Sequence, residues 1–588
     1  MLTTQTNRSR PARQARIRGA TIGVALLLTL VSCSDDVDDP DPGPRPDEPT
    51  GSGSSPSESD SPEVAELPVA ASFVVDADDE GRQVRFALHG LRRVDGGTVV
   101  DYSVTGLPSD SVAEGEPLGS GVELDFEGFT NAPNVNLIDV PSAKVYRPLA
   151  DESGICVCTF VSKLGLVAGT TELHQAAYPE LPAGLTEVTV EFGNGPLVGA
   201  VPVLDVGEVP TGEAEDLAAP AEELPVLAST DTFRQPVKAV VPDPQPQPLT
   251  IDVNRVLSGP GGTSLVWTIN GAGEGAGLST AGTPLSDYRL ASVSVAIKTG
   301  VGSGPGIRST EDPDGAVLRS WFSTLRAKAG NQFTDVTPED WRFCLCTDYQ
   351  SFGDGVDSAQ KSRTFVSHLP PLAEGTSTVD VIFPDDSLPT LSDVPVETAM
   401  TSALGEPETG ESQTWTLPEG TNNREAFEVT EWPTPVPDTA SLALVEPIVD
   451  ELLDKQTLPN AEREKKEEKV EITLDGTVTF EPDSARLTSA ARAGIAAIAD
   501  QINTDAAPGS EIMIGGHVAG SDQGSEAVQL RLSTDRADAV LAALRPMIDA
   551  DVTLTAEGFG ATQPVAPNDT EANRILNRRV VVTFTTNE

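Results

Sequence analysis

Val528-Gln529-Leu530-Arg531-Leu532-Ser533-Thr534-Asp535-Arg536-Ala537-Asp538-Ala539-Val540-Leu541-Ala542-Ala543-Leu544 is the stretch on which the fold turns. Val528, Leu532, Val540, Leu541 and Leu544 recur at helical spacing, which predicts an amphipathic helix entered from Gly524. Counting by fours from Val528 gives Leu532, Arg536, Val540 and Leu544, so Arg536 breaks the apolar stripe. A guanidinium there must snorkel to water, pair with an internal carboxylate, or receive an anionic ligand. Upstream, Val470–Phe480 alternates as a strand, and Leu487, Ala491, Ile495, Ile498 and Ile502 predict a first helix. Ile512 and Ile514 make a short strand before Gly515-Gly516-His517. Val552–Ala556 is a third strand and Asn577–Thr585 a fourth, with Val580, Val582 and Phe584 alternating. The order β-α-β-α-β-β predicts an α/β sandwich of two helices on a small sheet over residues 470–588.

Gly516-His517, Leu532-Ser533, Arg536-Ala537, Val540, Gly558-Phe559-Gly560, Pro564, Asn568, Thr570 and Asn577-Arg578-Arg579-Val580 follow one another in a specific order. That ordered series resembles the OmpA-like peptidoglycan-binding domain of OmpA, Pal and MotB, over about the last fifth of the chain. The resemblance implies a site in which the Arg of the Leu-Ser-x-x-Arg-Ala motif, here Arg536, and an Asp after the Gly-His turn clasp the diaminopimelate of a peptidoglycan stem peptide. The free end of diaminopimelate is zwitterionic: it needs a carboxylate for its ammonium and a forked guanidinium for its own carboxylate. The family reads Gly-His-Thr-Asp; this chain reads Gly516-His517-Val518-Ala519-Gly520-Ser521-Asp522. Counted from Gly-His, Ala519 holds the Asp place; counted back from Arg536, Ser521 does, with Asp522 adjacent. Asp522 is the candidate. Gln529 stands where the family has Asn. His517, Asn577 and Arg578 complete the implied binding set, a surface role for Arg578 being the equal alternative.

The other end carries an address. Arg8, Arg10, Arg13, Arg16 and Arg18 precede an apolar run from Ala20 to Val31 that is short for a membrane span. This reads as an export signal, residues 1–33, ending Leu30-Val31-Ser32-Cys33. The ending resembles a bacterial lipobox, which implies fatty-acyl (palmitate-type) lipidation of Cys33. Each buried methylene contributes about 0.8 kcal/mol, so two or more chains hold a protein at a membrane. Residues 34–65, rich in Asp, Pro, Ser and Gly, predict a disordered tether.

Between the ends lies an internal repeat. Gly96-Gly97-Thr98 leads into Val99-Val100-Asp101-Tyr102-Ser103-Val104, and Gly261-Gly262-Thr263 into Ser264-Leu265-Val266-Trp267-Thr268-Ile269. Cys156-Val157-Cys158-Thr159 is matched by Cys344-Leu345-Cys346-Thr347. Alternating residues and Gly/Pro turns predict two β-sandwich-like modules, 66–205 and 235–397, parted by an acidic linker at 206–234. Export puts the four cysteines where disulfides form, and a bridge within each Cys-x-Cys pair is expected, given a local bulge. A four-thiolate metal site joining the modules is the weaker alternative, because the spacing matches no known zinc pattern. Residues 398–469 read as a second linker, with a short helix over Ser441–Asp454 and a solvated mixed-charge run over Ala461–Lys469.

The formal charge of −51, with 90 acidic against 39 basic residues, repels nucleic acid and anionic lipid headgroups, so no nucleic-acid partner is expected. His89, His174 and His368 stand alone, without a hydrolase, P-loop, zinc-protease or dinucleotide motif. No enzyme, cofactor or metal is therefore expected. The expectation is a cell-envelope lipoprotein, outside the cytoplasm, that ties a membrane to peptidoglycan. The alternative is a displayed binding protein or adhesin, moored by its C-terminal domain, whose middle modules hold an unknown ligand.

Overall fold

The computed structural model describes residues 67–76, 82–109, 112–118, 135–150, 156–159, 166–193, 195–234, 248–271, 304–313, 315–324, 342–347, 362–383, 388–410, 414–415, 436–437, 444, 449–520 and 524–586. Cys33, the export signal, the tether and Asp522 lie outside the described residues. Among the described residues, no helix is long and apolar enough to cross a membrane.

The alternation of Val470, Ile472 and Leu474 puts all three inside, each fully buried. Their strand runs Lys469–Asp475 and pairs antiparallel with Arg579–Thr585, Ile472 opposite Val582 and Val470 opposite Phe584. The inner strand Glu511–Gly516 lies antiparallel to that last strand and parallel to Thr553–Gly558. Two helices cover one face. Ala491–Asp505 contributes Ile495, Ile498 and Ile502; Glu526–Leu544 contributes Ala537, Val540 and Leu544.

Three boundaries differ from the sequence reading. The first strand stops at Asp475, whose carboxylate caps a single helical turn, Gly476–Thr479, so Phe480 follows a turn instead of ending a strand. A helix, Glu571–Asn577, capped by the Thr570 hydroxyl, precedes the last strand, which begins at Arg579 rather than Asn577. Val528 is exposed and Leu532 half-buried, because the first turns of the long helix overhang the sheet; the buried stripe starts at Ser533.

Among its described residues, the middle of the chain forms strands and no helix. Gln83–Val94, Gly97–Gly106 and Thr171–Tyr178 pair antiparallel, and Pro248–Gly259, Gly262–Gly271 and Ser362–Leu369 repeat the arrangement. The repeat extends to a register shift at the same place, Leu88/Gly90 and Val253/Arg255. Tyr102 stacks on His174 and Trp267 on Phe365 at equivalent positions. Cys156 is bonded to Cys158 and Cys344 to Cys346, each pair with Cα atoms 5.3 Å apart. Each short loop lies along an outer strand, where the Thr159 and Thr347 hydroxyls accept the Gln175 and Val366 N–H groups. His89 lies 2.8 Å from both the Pro68 carbonyl and the Ser103 hydroxyl, and His368 lies 3.6 Å from Glu191.

Neither expected linker is a bare spacer. Within 206–234, Ala228–Ser229 and Phe233–Arg234 pair with Pro248–Gly259, so the second region starts before residue 235. Within 398–469, no helix forms over the described part of Ser441–Asp454. Val449–Leu458 is strand β1 and Ala461–Lys466 is β2, a hairpin closed by Pro459-Asn460, with Asn460 at φ +58°. The remainder of the sheet is β3 (Lys469–Asp475), β4 (Glu511–Gly516), β5 (Thr553–Gly558) and β6 (Arg579–Thr585), with α1 (Ala491–Asp505), α2 (Glu526–Leu544) and α3 (Glu571–Asn577). Their lateral order is β1-β2-β3-β6-β4-β5.

Candidate functional site

The site forms where β4 and β5 end beneath α2, a place that needs backbone close to backbone. A Cβ on Gly516 would lie 2.0 Å from the Ser533 carbonyl oxygen, and one on Gly558 would lie 2.3 Å from the Thr534 hydroxyl. Only glycine fits at either place. The Ser533 hydroxyl donates to the Leu530 carbonyl (2.8 Å) and accepts the Gly560 N–H (2.9 Å). The Gly-His, Leu-Ser and Gly-Phe-Gly motifs are thus three sides of one contact.

Arg536 sits one turn further along α2, only 5% exposed. Its Nε donates to the Ser484 carbonyl at 3.0 Å, and its guanidinium carbon lies 5.0 Å from the centre of the Phe480 ring. One edge of the fork is fixed and one face is covered. No carboxylate among the described residues forms an ion pair with it. Burial lowers the Arg536 pKa from its usual value, the nearby Asp483 carboxylate opposes that shift, and the Arg578 guanidinium adds to it. Asp483 stands in the turn that supplies the Ser484 carbonyl, at φ +52°. Asp and Asn tolerate that conformation better than most residues.

The implied binding residues fall into distinct settings. His517 is buried, stacked on Phe559 with ring centres 5.1 Å apart, and its Nδ1 has no partner among the described residues. Burial first, then the Arg579 charge, push its pKa down to about 4, so the ring is neutral at pH 7. Asn577 is 1% exposed and fully engaged. Its Oδ1 accepts the Val565 and Ala566 N–H groups, and its Nδ2 donates to the Ala566 carbonyl and the Asn568 Oδ1. Asn568 Oδ1 in turn accepts the Gly520 N–H at 3.1 Å. Asn577 is therefore the pivot that holds the loop after Gly516-His517, not a group turned to solvent. Arg578 pairs with Glu571, which also takes Arg574 at 2.9 Å. Gln529 is half-buried in the first turns of α2, with no side-chain hydrogen bond among the described residues. Ala519 is buried and carries no acid.

Phe480, Ser484 and Asp483 were not singled out in the sequence, although they hold or face the central guanidinium. Phe480 was visible only as the apolar end of a strand. A carbonyl partner leaves no trace in residue type.

Residues 479–578 match the OmpA family. Among solved structures, the periplasmic domain of Helicobacter pylori MotB is similar at 24% identity, over 22% of this chain and 83% of that one, with a TM-score of 0.19. The cell wall anchor of the T6SS from Pseudomonas aeruginosa is similar at 26% identity, over 22% of this chain and 89% of that one, with a TM-score of 0.20. No curated protein matches. The motif contacts and the matched residues coincide: the C-terminal part of this chain, over residues 479–578, carries the match to the OmpA family.

Proposed function

We propose that this domain grips peptidoglycan without a covalent bond and that the chain ties a membrane, through lipid on Cys33, to the wall. The observation that carries the reading is Arg536, a buried guanidinium held by a carbonyl and an aromatic face with no carboxylate among the described residues to neutralise it. A buried cation left in that state costs folding energy, and a ligand carboxylate offsets the cost on binding. The carboxylate at the free end of diaminopimelate fits a fork whose Nε edge is already occupied. Its ammonium requires an acid at the rim. Asp522 remains the candidate from sequence, and Asp483 is the described carboxylate whose field reaches Arg536. Asn577 and Asn568 fix the loop that leads to Asp522. This is binding chemistry, with no bond made or broken.

The test is co-sedimentation of the chain with purified sacculi. Sacculi with diaminopimelate at the third stem position should retain it, and free meso-diaminopimelate should displace it. Sacculi with lysine there, which lack the terminal carboxylate, should retain it at least about tenfold less, the weight of one charge-assisted contact. Equal retention on both, or on neither, contradicts the proposal.

A further inference from the structure

We propose that the β1–β2 hairpin is a rigid coupler, so that the two β regions and the wall-binding domain move as one body. A flexible spacer makes few fixed contacts. Here, between 449 and 466, the backbone is bonded almost without interruption, to three partners.

The first strand is stitched into both β regions. Val449–Glu451 pairs with Lys144–Tyr146 of the first. Leu452–Leu453 pairs with Ser323 and Phe322 of the second, and Gln456–Thr457 with Leu318 and Val317. Leu452 is 4% exposed in a cluster with Ile138, Val145 and Leu197 from the first region and Trp321 and Leu345 from the second. Beside it, Arg147 of the first region forms a fully buried ion pair with Asp450 (3.1 Å) and donates to the Ser323 hydroxyl of the second (2.5 Å). Three segments far apart in sequence meet at one guanidinium.

The far end of the hairpin belongs to the wall-binding domain. Leu458 and Ala461 are buried in the core of that domain, and β2 is its next strand, with Glu464 opposite Glu471 of β3. Arg463 reaches both ways, to Asp454 on β1 (3.3 Å) and to Asp505 at the end of α1 (3.0 Å). The Asn460 side chain donates to the Ala490 carbonyl ahead of α1. Ala316 of the second region packs against the same core. A pull on the wall-binding domain therefore passes along β1 into ladder bonds that run across the strand, so they resist together instead of opening one by one.

The test uses the full chain carrying Cys33→Ser, with spin labels at two exposed positions, Glu180→Cys in the first region and Asp538→Cys on α2. The reference pair is Arg492→Cys with Asp538→Cys, both within the wall-binding domain. Pulsed dipolar spectroscopy should give a single distance distribution for the first pair, within about twofold of the width of the reference. Leu452→Asp should broaden the first pair severalfold and leave the reference unchanged. A broad or multimodal distribution in the chain without Leu452→Asp overturns the proposal, as does a distribution that Leu452→Asp fails to widen.

Discussion

Arg536 was legible as a turned-in cation because helical counting needs only residue spacing. What holds it was not legible, since Phe480 and Ser484 lie about fifty residues away and the contact uses a carbonyl and a ring face. The same division runs through the site. Asn577 was read as a binding residue, yet it satisfies four hydrogen bonds inside the domain. Asn577→Ala should destabilise the domain by about 2–3 kcal/mol, because it strands buried backbone groups, and urea unfolding measures this. His517 gives a pH signature. Its folded pKa of about 4 lies below the ordinary 6.5, so the unfolded chain binds the extra proton first. Its contribution to stability is present above pH 6.5 and lost as pH falls from there toward about 4. His517→Phe keeps the stack on Phe559 and should flatten the slope of stability against pH across that window, read by thermal unfolding at a series of pH values.

Elements were legible where one face is apolar and lost where charge is shared between strands. The alternation in Lys469–Asp475 and Arg579–Thr585 announces strands because the inward residues are all Val, Ile, Leu or Phe. The run Ala461–Lys466 looks like a solvated spacer for want of such residues. Its charges are the complement of β1 across the Pro459-Asn460 turn: Lys455 stands opposite Glu464 and pairs with it, and Lys466 pairs with Glu451. The leucines of β1 mimic helical spacing because Leu452 and Leu453, adjacent on the strand, are both buried, which breaks the period of two. The Arg147–Asp450 pair gives this element its own prediction. Asp450→Ala removes the carboxylate from beside a buried guanidinium and should cost about 3–5 kcal/mol in denaturant unfolding. Arg147→Met combined with Asp450→Ala should cost less than the sum of the two single changes.

At the scale of the molecule, the repeat was readable as a pattern, whereas the joining of the parts was not, because it rests on pairings between residues more than a hundred positions apart. The C-terminal domain is continuous with the β-rich body through the β1–β2 hairpin. Cys33→Ala should move the protein from the membrane to the soluble fraction on cell fractionation, with sacculus binding retained. Under the proposed function, the Arg536 fork receives a stem-peptide carboxylate. Titration calorimetry of the full chain and its Arg536→Ala variant with a meso-diaminopimelate stem peptide tests it most directly. The variant should lose about 10- to 100-fold in affinity, the range for one hydrogen-bonded charge. Equal affinity in the two chains, with the variant still folded, contradicts it.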